Sequence, residues 1–88
     1  MTDHLNSYLL DKLQEECAEV IQAVSKIRRF GPLNHHPDRA TTNLQELIGE
    51  LEDALAIVQA LEHTQYFYPY HISEKRTEQK TRELLKLQ

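Results

Sequence analysis

The stretch LDKLQEECAEVIQAVSKIRRFGP, residues 10–32, decides the fold. Its apolar side chains Leu10, Leu13, Cys17, Val20, Val24 and Ile27 recur at intervals of 3, 4, 3, 4 and 3, the spacing that lines them along one face of an α-helix. Nothing from Asp3 to Arg29 breaks a helix. Gly31-Pro32 ends it, the glycine by accepting left-handed backbone and the proline by lacking an N–H. The sequence therefore predicts a helix from about Asp3 to Arg29 whose stripe requires a partner.

That partner is found downstream. Residues 31–42 are polar, carry Pro32 and Pro37, and read as a loop. Asn43 is placed to cap a second helix, with Glu46 three residues on to complete a capping box. This helix is expected to reach about Glu62, with Leu44, Leu47, Leu51, Ala54, Leu55, Val58 and Leu61 as its apolar face. Residues 63–71 form an aromatic-rich connection (Tyr66, Phe67, Tyr68, Tyr70) in which Pro69 forbids a continuous helix. Ser73 then caps a shorter, highly charged third helix from about Glu74 to Leu87. The expected fold is all-α: an antiparallel helical hairpin plus a shorter third helix, in one domain over residues 1–88.

Bulk properties narrow the function. A chain of 88 residues buries too little apolar surface for a lone three-helix core to be comfortable, so pairing of chains is expected. The composition, 40% hydrophobic and 27% charged with 2 Gly and 3 Pro, is that of a globular domain with few turns. A net charge of −4 repels nucleic acid and anionic membranes, so neither is an expected partner. Cys17 is the single cysteine, which excludes an internal disulfide and a cysteine-built zinc site. With no apolar run of membrane-spanning length and a polar start over residues 1–6, the expectation is a cytoplasmic protein.

Two acidic clusters carry the chemistry. Glu15, Glu16 and Glu19 form E-E-x-x-E on the first helix; Glu46, Glu50 and Asp53, containing E-x-x-D, lie on the second. At about 100° of rotation per residue, the first three fall within roughly 100° and the second three within about 60°, each set along a flank of its apolar stripe. Glu52 points away. When the two stripes meet, the acidic flanks meet at the edge of the core. Crowded carboxylates repel and are costly to desolvate. A hard, oxygen-preferring divalent cation, Mg²⁺ or Mn²⁺, meets that need. A di-iron bundle is disfavoured because neither helix carries Glu-x-x-His.

The segments EECAEVIQAVSKIRRFG (residues 15–31) and NLQELIGELEDALA (residues 43–56) resemble the MazG-like branch of the all-α nucleoside triphosphate pyrophosphohydrolases. The likeness spans roughly residues 8–62. Arg29-Phe30-Gly31 and His36-Pro37 are further similar to small phage and bacterial members. Two features depart from the pattern: a long interval between the acidic motifs, and Leu51-Glu52-Asp53 where many members carry Leu-Gly-Asp. The resemblance implies Mg²⁺-dependent cleavage of a nucleoside triphosphate to monophosphate and pyrophosphate, in a helical-bundle homodimer or homotetramer. It also implies Glu16, Glu19, Glu50 and Asp53 as metal ligands. Glu15 would be a further ligand or the residue orienting the attacking water, with Glu16 beside it at the reacting centre and Glu46 an accessory acid.

Several other residues have a double reading. Lys26, two turns beyond Glu19, and Lys12, one turn before Glu16, are placed either for substrate phosphate or for intrahelical ion pairs. Arg28 and Arg29 suit the helix C-terminus, and Arg29 gains a phosphate role from the resemblance. The aromatic segment either closes a small core or interface, the preferred reading, or stacks on a base. His35 and His36 are expected to be exposed loop residues, and Cys17 a small core residue. Two other functions stay open at this level. One is a non-catalytic helical dimerisation module; the other is the same chemistry on phosphoribosyl-ATP or an alarmone.

Overall fold

A computed structural model of the chain describes residues 2–87; the single-domain expectation also takes in Met1 and Gln88, which lie outside them. Among the described residues there are three helices and no strand: α1 (Thr2–Phe30), α2 (Asn43–His63) and α3 (Glu74–Leu85). The order and approximate lengths are those predicted.

Local chemistry sets the boundaries. Gly31 ends α1 with φ +90, a left-handed conformation that costs a residue with a Cβ about 1 kcal/mol, while its N–H still reaches the Ile27 carbonyl at 2.7 Å. The start of α2 corrects the expected capping box by one residue. Thr42, not Asn43, is the N-cap. Its hydroxyl accepts the Gln45 N–H at 3.2 Å, and the Gln45 side chain accepts the Thr42 N–H at 2.8 Å. Asn43 is committed elsewhere: it is buried and its side-chain amide donates to the Gly31 carbonyl at 3.0 Å. That bond ties the end of α1 to the start of α2. Ser73 caps α3 as expected, accepting the Arg76 N–H at 3.0 Å, but α3 stops at Leu85.

α1 and α2 pack as an antiparallel hairpin. At its open end, the Thr64 hydroxyl donates toward Asn6 Oδ1 at 2.8 Å, joining the end of α2 to the start of α1. The seam is built from Leu9, Leu13, Val20, Ala23 and Ile27 against Leu47, Ala54, Ile57, Val58 and Leu61, all buried or half-buried. Among the described residues Leu61 alone is fully buried. α3 packs on neither helix, and none of its residues is buried.

The first helix meets its partner on a different line from the predicted one. Leu10, Cys17 and Val24 were expected in the seam and are exposed. The helical rotation explains this. The stripe counted in the sequence merges two faces, the seam itself and a second apolar flank about 60–120° to one side of it (Leu10, Cys17, Ile21, Val24). On α2 the residues Leu44, Ile48, Leu51 and Leu55 make a similar flank, about 60–130° from its seam, and they too are exposed. In an antiparallel pair equal rotations land on one side of the hairpin, so both flanks form a single apolar face. The acidic flanks lie on the opposite side.

The overall shape reflects this. A folded monomer of this mass should expose about 5,400 Å²; the chain exposes 7460 Å². Its radius of gyration is 16.0 Å, against about 12 Å for a compact domain of its length. No described helix is long and apolar enough to cross a membrane.

Candidate metal centre

The acidic side of the hairpin gathers carboxylates from both helices. Glu16 sits at the edge of the seam on α1, and Glu50 at the facing edge on α2; both are half-buried. Asp53, one turn beyond Glu50, is exposed. One carboxylate oxygen from each of the three lies within 4.8 Å of the others. The i,i+3 spacing of Glu50 and Asp53 puts both on one side of α2, and antiparallel packing sets Glu16 opposite them.

The electrostatics record the crowding. The Glu50 carboxyl is held above its ordinary pKa, first by burial at the seam. A hydrogen bond with Glu16 and repulsion from Glu16, Glu19 and Asp53 add to the shift. Three carboxylate oxygens brought this close could hold a hard divalent cation. The donor set is not specific to any one such ion.

Glu19 stands beside this trio. With Gln22, Ala23, Lys26, Arg39, Glu46 and Glu50 it lines a polar cleft of about 220 Å³. Glu46 is not one of the converging acids. It is the counter-ion of two cations, with Arg39 Nη1 at 2.7 Å and Lys26 Nζ at 3.7 Å from its Oε1. Lys26 is thus held at the cleft, as a phosphate contact would require, and is shared with a carboxylate. Nothing in the sequence singles out Arg39. Its position in an irregular loop gives no periodicity to place it; only its arginine chemistry could have drawn notice.

The remaining predicted site residues lie elsewhere. Glu15 is exposed and pairs with Lys12 at 3.5 Å, the intrahelical alternative for that lysine. Arg29 stands 5.1 Å from the Phe30 ring and does not line the cleft. His35 and His36 are exposed and brace their own loop: the His35 Nδ1–H donates to the His36 carbonyl at 2.9 Å, and His36 Nδ1 accepts the Asp38 N–H at 3.1 Å. In the aromatic segment Tyr66 and Phe67 meet edge to face at 5.8 Å, while Tyr68 and Tyr70 are 78% and 81% exposed. Tyr66 is 44% exposed and Phe67 is half-buried.

Compared with known proteins, the chain matches no protein-family model, no curated protein and no solved structure.

Proposed function

We propose that the hairpin is a Mg²⁺-dependent hydrolase that cleaves a nucleoside triphosphate, foremost a deoxynucleoside triphosphate, to the monophosphate and pyrophosphate. The observation that carries this reading is the convergence of Glu16, Glu50 and Asp53 from two helices to within 4.8 Å, next to a cleft that also holds Lys26 and Arg39. The sequence resemblance supplies the reaction. A carboxylate trio alone rejects a polyphosphate; carboxylates, a divalent ion and nearby cations together attract one. A triphosphate substrate also implies a cytoplasmic location.

Glu16, Glu50 and Asp53 would hold the ion, with Glu19 at its side. A bound Mg²⁺ supplies the countercharge that lets the triphosphate approach and polarises its phosphoryl groups. The protein's own groups do the rest. Lys26 and Arg39 exchange part of their pairing with Glu46 for phosphate oxygens, which orients the chain of phosphates along the cleft. Water adds its oxygen to phosphorus as the anhydride P–O bond between the α and β phosphates breaks. Glu19 takes the water's proton, since it lines the cleft while Glu15 is drawn off by Lys12.

The same reading includes assembly as a homodimer or homotetramer. The apolar face of Leu10, Ile21, Val24, Leu44, Ile48, Leu51 and Leu55 and the surface excess of about 2,000 Å² both favour it. An interface of the usual size takes about 800 Å² from each partner. The apolar face equally suits a helical interaction module without catalysis, and the acidic face separates the two readings. Asp53→Asn should lower pyrophosphate release from dNTPs by about 100-fold or more, since even outer-shell changes at metal sites cost 10–100-fold. Stability should stay within about 0.5 kcal/mol, because Asp53 is exposed. A wild-type protein that releases no pyrophosphate from any nucleoside triphosphate with Mg²⁺, while folded by circular dichroism, overturns the hydrolase reading.

A further inference from the structure

Behind the polar cleft lies a second cavity, built by the loop between α1 and α2. It measures about 250 Å³, has a mainly apolar wall, and is lined by Lys26, Phe30, Asn34, His35, His36, Pro37, Arg39, Asn43 and Glu46. Three of these, Lys26, Arg39 and Glu46, line the polar cleft as well. The two spaces therefore share a wall, and that wall carries both cations.

The loop is bound to the hairpin at several points. The Asn43 N–H donates to the Asn34 carbonyl at 2.8 Å and the Leu44 N–H to the Pro32 carbonyl at 2.9 Å. The Arg39 N–H donates to the His36 carbonyl at 3.0 Å, and the Arg39 side chain closes on Glu46 at 2.7 Å. Phe30 is left 55% exposed although it borders this cavity. A flat aromatic ring, two imidazoles and a proline ring offer stacking faces. Asn34 Oδ1 accepts the His35 N–H at 3.0 Å, which leaves the Asn34 amide donors to meet a polar edge. Pockets for whole drug-sized ligands begin near about 300 Å³. A space of 250 Å³ suits a ring system, with the charged remainder of the ligand lying outside it.

We propose that this loop cavity holds the heterocycle of the nucleotide, stacked on Phe30, while its phosphates pass over Lys26 and Arg39 toward the carboxylates. This rests on the hydrolase reading for its substrate class, and it makes the α1–α2 loop, rather than the aromatic segment at 66–70, the base-recognition element. Phe30 and Asn34 are then specificity-determining residues.

The test separates base binding from catalysis. The full chain in chelator, free of divalent ions, is titrated with each 2′-deoxynucleoside 5′-monophosphate and with 2-deoxyribose 5-phosphate, following side-chain NMR signals of Phe30, His35, His36, Asn34 and Tyr68. Nucleotides should produce saturable shifts at Phe30, Asn34 and the two histidines, and the sugar phosphate should not. Phe30→Ala should weaken nucleotide binding about fivefold or more, the loss of one base–aromatic stack. Tyr68→Ala should leave it unchanged. Equal loop shifts with the sugar phosphate would reduce the cavity to an anion site and overturn the proposal, as would shifts confined to Tyr68 or loss of binding in Tyr68→Ala. Pyrophosphate release measured in parallel tests the hydrolase reading by itself. Turnover with no base-dependent loop shift sinks only the cavity assignment, and loop shifts without turnover sink only the hydrolysis.

Discussion

Glu50 concentrates the tension of this molecule at a single side chain, since burial and three neighbouring acids oppose its ionisation. A carboxyl whose folded pKa lies above its ordinary 4.5 binds more protons folded than unfolded in the interval between the two values. Stability in that interval falls as pH rises, and the deficit persists at neutral pH. In chelator, then, wild-type melting temperature should decline as pH climbs from about 4.5, and Glu50→Gln should flatten the decline and melt higher at pH 7. Added Mg²⁺ should reverse it. At a concentration one hundred times its dissociation constant the ion contributes about 2.7 kcal/mol, or about 4–8 °C per kcal/mol for a domain of this size. Differential scanning fluorimetry across pH, with and without Mg²⁺, reads all three outcomes. A wild-type curve that rises with pH in chelator contradicts the assigned crowding.

At the scale of elements, the junction between α1 and α2 sets the register of the hairpin and so brings Glu16 opposite Glu50. Its main tie is the buried Asn43 amide on the Gly31 carbonyl. Asn43→Ala should cost about 1–2 kcal/mol in chemical denaturation, the loss of a buried hydrogen bond and its packing. It should lower metal affinity as well, because a looser junction lets the two helices slide. Thr42→Ala removes only the cap, about 1 kcal/mol, and should leave metal affinity near wild type. Equal metal-binding losses in the two variants would mean that the register is fixed elsewhere, as by the packing of the fully buried Leu61 at the far end.

For the whole molecule the dominant fact is surface. The chain exposes an apolar face on one side of a thin hairpin and leaves α3 without packing partners. Sedimentation at micromolar concentration should report a multiple of the 10.3 kDa chain mass. Leu51→Glu, placed in the centre of that face, should shift the population to monomer and lower melting temperature by several degrees, while Glu52→Ala on the same turn should change neither. A wild-type chain that sediments as a monomer at all accessible concentrations removes assembly from the proposal.

The helical periods, the Gly31-Pro32 stop and the Ser73 cap are local properties, so the sequence by itself determined three helices and the hairpin order. Rotation along a helix is fixed by residue number, so the sequence put six acids, Glu15, Glu16, Glu19, Glu46, Glu50 and Asp53, on the two flanks that meet; tertiary packing decided that Glu16, Glu50 and Asp53 are the three that converge. Which part of the stripe enters the seam is not local. Leu10, Cys17 and Val24 are as apolar as the residues that enter it, and only the packing of two helices divided one counted stripe into a seam and an open face. The existence of the loop was legible, but its contacts were decided by tertiary structure alone. Arg39 became a cleft residue, and through it Glu46 on α2 a counter-ion and Phe30 at the end of α1 a cavity wall, because the loop's irregular backbone has no period to read and its hydrogen bonds form only when both helix ends are already in place.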